Sequence, residues 1–119
     1  MWLFTKYGFF SAVCNREAGK SLDKSRFKVR ARVRDHLDAL KARFPDLLGS
    51  SEVNETKDTD YRFRIFVDKS VWSQILSALS DEIEYGNFKS EVARHQGNKG
   101  ASYEKALHQV WDVMLRLQK

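Results

Sequence analysis

One cysteine, one proline and six glycines are spread over 119 residues. No apolar run approaches the ~20 residues that a membrane span needs. The lone Cys14 excludes an intramolecular disulfide and any multi-cysteine metal site, and it points to a reducing, cytoplasmic location. His36, His95 and His108 lie on or near three different predicted helices, none with a histidine or cysteine at ligand spacing. No metal or cofactor is therefore expected. No spacing of serine, histidine and acid suggests a triad, so no catalytic residue is assigned. Gly19-Lys20-Ser21 lacks the glycine that a phosphate loop carries five residues earlier, where Cys14 stands, and reads as a basic turn. Residues 1–14 are apolar but have no basic leader, are interrupted by Lys6 and precede no small-x-small site, which argues against a signal peptide. Without repeats, low-complexity tracts or linkers, residues 1–119 read as one α+β domain.

What the chain does have is hydrophobic residues, at 42%, and a net charge of +5. The charge is uneven. Arg16 to Arg34 holds eight basic residues against Glu17 and Asp23, a local surplus of +6 that exceeds the total. Such a surplus suits a polyanion, and it also occurs on ordinary solvated surfaces.

Within that stretch Lys28-Val29-Arg30-Ala31-Arg32-Val33 alternates basic with apolar residues, as does Tyr61-Arg62-Phe63-Arg64-Ile65-Phe66-Val67. A strand sends successive side chains to opposite faces, so each segment separates a greasy face from a basic one. Trp2 to Val13 is a further strand-forming stretch with a bend at Gly8, and residues 51–57 form a weak strand. Helical spacing follows in Val33, Leu37, Leu40 and Phe44, ended by Pro45, with a turn over residues 46–50. A second helix follows Asp68, with Trp72, Ile75, Leu76, Leu79 and Ile83 on its apolar face and Gly86 as its stop. Residues 87–96 make a shorter helix, and a long one begins near Ser102 as N-cap.

From the second strand onward the order is β-α-β-β-α, five sixths of the ferredoxin-like unit. The N-terminal strand can supply the missing sixth in a circularly permuted arrangement. The expected architecture is an antiparallel four-stranded sheet with helices on one face, plus a C-terminal helix. The two basic strands are then the central pair, because right-handed crossovers put both main helices on the same side.

The uncovered face would carry Lys28, Arg30, Arg32, Arg62 and Arg64, with Lys20 and Lys24 reaching in from the loop. Like charges directly opposite on adjacent strands cost a few tenths to ~1 kcal/mol, so something must offset them. Phosphates would do so through bidentate guanidinium contacts. Pairing with Glu52 or Glu55, or a helix laid across arginine stems, would do so equally. Single-strand binders add aromatic platforms, and Tyr7 and Phe9 are the rings expected to be exposed.

Tyr103, Leu107, Val110, Trp111, Met114 and Leu117 form one apolar stripe, to be buried in the core, over the sheet or against a second copy.

Tyr7-Gly8-Phe9-Phe10-Ser11, Val29-Arg30-Ala31-Arg32 and Asn87-Phe88-Lys89 together resemble a family of small uncharacterised bacterial proteins. The resemblance implies an intracellular bacterial protein and brings no activity, cofactor or partner with it. Three functions are left in contention. They are a sequence-tolerant nucleic-acid-binding module, a protein-interaction or homodimerising domain with a merely solvated basic face, and a small nuclease-like enzyme built on its acidic residues.

Overall fold

Alternating sequence becomes strand and helical spacing becomes helix, with one surplus strand. The computed structural model describes all 119 residues. They form β1 (Trp2–Thr5), β2 (Gly8–Asn15), β3 (Asp23–Ala31), α1 (Arg34–Arg43), α2 (Pro45–Leu48) and β4 (Asn54–Glu55). β5 (Phe63–Asp68), α3 (Lys69–Asp81), α4 (Phe88–Gln96), a 3-10 turn over Gly97–Gly100 and α5 (Ala101–Leu115) complete the chain. No helix is long and apolar enough to cross a membrane. The chain divides into two compact units, one of Met1–Phe4 with Gly8–Glu84 and the other of Thr5–Tyr7 with Tyr85–Lys119.

The first unit is an α+β layer. Its sheet has five strands in the order β1-β2-β3-β5-β4, and β2–β3, β3–β5 and β4–β5 pair antiparallel. Five strands replace the expected four because the N-terminal run is broken at Lys6-Tyr7 and returns as a second strand. Gly8 opens that return at φ +152°, and a Cβ there would sit 2.2 Å from Cγ of His36 on α1. Only glycine fits so close to the ring. The imidazole is also bonded to the strand, because the Phe9 amide donates to His36 Nδ1 at 3.2 Å.

The core lies on one side of the sheet. Phe10 and Ala12 of β2, Val29 and Ala31 of β3, and Ile65 and Val67 of β5 are buried, with Leu37 and Leu40 of α1 and Trp72 and Ile75 of α3. These are the inward positions of the period-2 and period-3.6 patterns. Pro45 ends α1 and then starts the four-residue α2, where only a turn was expected, and Leu48 of that helix is buried. Proline suits a first helical position, having no amide hydrogen to leave unsatisfied. α3 stops at Asp81, five residues before Gly86, so Ile83 lies past its end and is exposed.

In the second unit Asn87 caps α4, its side chain accepting the Ser90 amide at 2.9 Å. Tyr103 of α5 donates its hydroxyl to the Thr5 carbonyl at 2.8 Å, and burial pushes the phenol well above the usual tyrosine range. Gln96 Nε2 donates to the Lys6 carbonyl at 2.7 Å. Ser102 does not cap α5. The helix starts one residue earlier, with Gly100 in the cap position.

Candidate functional site

With Val29, Ala31, Ile65 and Val67 turned to the helices, strand alternation sends Arg26, Lys28 and Arg30 of β3 to the other face, with Arg64, Phe66 and Asp68 of β5. Register then decides who meets whom. Arg30 stands opposite Arg64, Lys28 opposite Phe66, and Arg26 opposite Asp68. Across the next pairing Ser11 stands opposite Arg30 and Val13 opposite Lys28. Of the predicted basic residues, Lys28, Arg30 and Arg64 are thus gathered into one half-buried patch.

No carboxylate pairs with any of these three. Arg30 Nη2 donates to Ser11 Oγ at 2.7 Å. Arg64 Nη2 donates to the Tyr61 carbonyl at 2.9 Å and to Thr59 Oγ1 at 3.0 Å. The Nε of each arginine is buried without a partner. Lys28 feels this charge directly: burial lowers its ammonium below the usual lysine range, and repulsion from Arg64 and Arg30 lowers it further.

Arg32 extends the patch beyond the end of β3. Its guanidinium and that of Arg30 both lie 4.5 Å from the centroid of the Tyr61 ring, which is buried. Arg32 also donates to the Asp60 carbonyl at 3.2 Å and approaches the Phe9 ring at 5.9 Å. Phe9, two residues before Ser11, shares the basic face and joins a small aromatic lattice. Phe4 stacks on it at 4.5 Å, Trp2 meets it edge-on at 5.8 Å, and Tyr61 lies 6.3 Å away. Trp2 is 69% exposed.

Other predicted residues are placed differently. Arg62 precedes β5, and its Nε donates to Glu55 Oε1 at 2.6 Å, so its charge is matched. Lys20 pairs with Glu17 at 2.7 Å. Lys24 is exposed near the start of β3. Tyr7 was expected exposed and is buried, its ring edge-on to His95 at 5.1 Å. It occupies the turn after β1, outside the alternation that would have turned it outward. Phe9 is half-buried because Phe4 and Trp2 take part of its surface. Of the acids near the end of α3, Glu82 accepts from Arg43 at 2.5 Å.

Sequence reasoning missed Ser11, Thr59 and Tyr61, the neutral partners of the arginines, and Trp2 and Phe4. The signal for Tyr61 was present. It follows Asp58-Thr59-Asp60, a turn that folds back over the arginine row. That turn also brings the exposed carboxylates of Asp58 and Asp60, neither of them in an ion pair. No group of three or more histidine, cysteine or acidic residues is arranged to hold a metal ion. Compared with family models, with curated proteins and with solved structures, the chain matches none. No relative therefore assigns a role to any of these residues.

Proposed function

We propose that the arginine face of this sheet binds nucleic acid, chiefly through phosphates, and that the bound form is single-stranded. The observation that carries the reading is the Arg30–Arg64 pair, whose two guanidinium groups have only neutral hydrogen-bond partners. Neutral acceptors orient a cation without cancelling its charge, so the field of Lys28, Arg30, Arg32 and Arg64 remains available to an anion. A phosphate placed over the row would relieve their mutual repulsion and gain charge-assisted hydrogen bonds. Lys24 and Lys20 would extend the track, Lys20 after release from Glu17.

Single strands are favoured by the aromatic lattice beside the arginines. Trp2 offers an exposed indole, and Phe4 and Phe9 support it. Unpaired bases stack on such rings whatever their identity, while duplex bases are already stacked on each other. Phosphate contacts carry no sequence information, so binding is sequence-tolerant and salt-sensitive. The strand order β2-β3-β5-β4, with α1 between β3 and β4 and α3 following β5, supports a circularly permuted ferredoxin-like fold with β1 as an added edge.

Fluorescence anisotropy with a labelled oligonucleotide, single-stranded and duplex, at two salt concentrations tests the reading. Support is affinity for the single strand that falls with salt and drops at least tenfold in a Lys28→Ala, Arg32→Ala double variant of unchanged circular dichroism. Absence of binding at low salt, or equal binding by the variant, rejects it.

A further inference from the structure

The stripe on α5 changes character halfway along the helix. Tyr103 and Leu107 are buried, whereas Val110 is 37%, Trp111 52% and Met114 57% exposed, as is Leu117, just past the helix end, at 70%. Val113 and Leu115 widen the bare part, at 55% and 45%. Large apolar side chains contribute roughly 150–250 Å² each, so these exposures leave about 600 Å² of contiguous apolar surface. That is the upper end of the range for the largest apolar patch on a monomer, and such patches are often functional.

We infer that this end of α5 is a self-association surface, where two copies of the chain pair helix against helix around a twofold axis. Two observations select a second copy as the occupant. First, the area is of the right order: two patches together hold about 1,200 Å² of apolar surface, the lower bound for specific interfaces. Second, α5 itself puts no charge among these apolar side chains. At 3.6 residues per turn, Asp112 and Arg116, the charged residues between 110 and 117, fall on the far side of the helix from Met114. Pairing along the helix therefore opposes no like charges of α5 itself, although the chain as a whole carries +5.

Met114 lies midway along the bare segment, so an antiparallel pair crossing there sets Val110 of each copy near the end of its partner's stripe. Lys89 already sits over the Trp111 ring, with Nζ 4.8 Å from its centroid, and leaves half of the residue's surface for the partner. The pairing is independent of the nucleic-acid reading, since it uses different residues.

Light scattering over a concentration series up to the order of 100 µM tests the inference, as interfaces of this size are often micromolar. The expected particle at high concentration has twice the 13.9 kDa chain mass and dissociates on dilution, with a parallel change in tryptophan emission. Met114→Glu with Leu117→Glu should give a monomer at every concentration with unchanged circular dichroism, because both positions are solvated in the single chain. Conservative Met114→Leu should retain the dimer. A wild type that stays monomeric overturns the inference, as does a folded double variant that still dimerises. Capture of the monomer by anionic vesicles, without dimer formation, overturns it in favour of a lipid surface.

Discussion

Arg30 and Arg64 stand directly opposite each other on β3 and β5, and the Nε of each is buried without a hydrogen-bond partner. Two like charges in register oppose folding, and two orphaned donors add to the cost. The sheet tolerates both because Ser11, Thr59 and the Tyr61 carbonyl hold the outer nitrogens and the Tyr61 ring lies against Arg30.

Arg64→Met removes one charge of this pair together with the bonds to Thr59 and Tyr61. Relief of repulsion and loss of hydrogen bonds nearly cancel, so stability should change by no more than about 1 kcal/mol. Affinity for single-stranded oligonucleotide should fall about tenfold, and the logarithmic salt slope by about 1. Arg62→Ala is the contrasting case. Its guanidinium already faces Glu55, so binding should weaken less than threefold. Denaturant titration and anisotropy on both variants check the pair.

Asp58 and Asp60 lie in the turn whose neighbours Thr59 and Tyr61 hold Arg64. Neither carboxylate is in an ion pair, so each acts on an incoming phosphate only by repulsion. Asp58→Asn with Asp60→Asn should tighten oligonucleotide binding a few-fold at low salt, and salt should erase the gain. A cleavage assay on the same variant separates this role from a hydrolytic one, in which loss of the acids would abolish turnover.

Gly8→Ala should be among the most destabilising single-methyl changes in the chain, by about 3 kcal/mol. The added carbon meets the His36 ring at 2.2 Å, and a φ of +152° is unfavourable for any L side chain. Gly19→Ala is the comparison: its φ is also positive, at +76°, but nothing lies within 4 Å. Its loss should be smaller. Urea midpoints of both variants decide between steric and purely conformational cost.

His36 makes stability depend on pH. Burial holds its imidazole below the ordinary histidine range, outweighing the attraction of Asp35. The unfolded chain therefore takes up the proton first as pH falls, and the native state is disfavoured. The contribution is fully present above the ordinary histidine value of ~6.5 and is lost as pH drops below it toward the native value. Protonated Nδ1 also cannot accept the Phe9 amide. Wild-type stability should decline from pH 7.5 to 5, and His36→Gln should flatten that decline in pH-dependent denaturation.

The arginine strands were legible because alternation is a local property. Val29, Ala31, Ile65 and Val67 are inward for the same reason that Lys28, Arg30 and Arg64 are outward. The pairing of Arg62 was legible only as an alternative: Glu55 was one of two acids weighed as partners for these arginines, and the two-residue strand β4 decides it by bringing Glu55 alongside. Tyr7 misled for a similar reason: one position in a turn reverses where a ring points. The α5 stripe was read correctly as a pattern, yet a pattern does not say how much of itself finds a partner. Two of its turns are covered and two are bare.

Sequence alone determined most of the helical and extended segments, the separation of basic from apolar faces and the +6 surplus between Arg16 and Arg34. These follow from nearest-neighbour geometry, the period of a strand or a helix. Only the tertiary structure decided that Arg30 meets Arg64, that Ser11 and Tyr61 rather than acids attend them, and that the end of α5 stays uncovered. Register and burial join residues far apart in the chain, and they are set by the packing of the whole sheet and its helices.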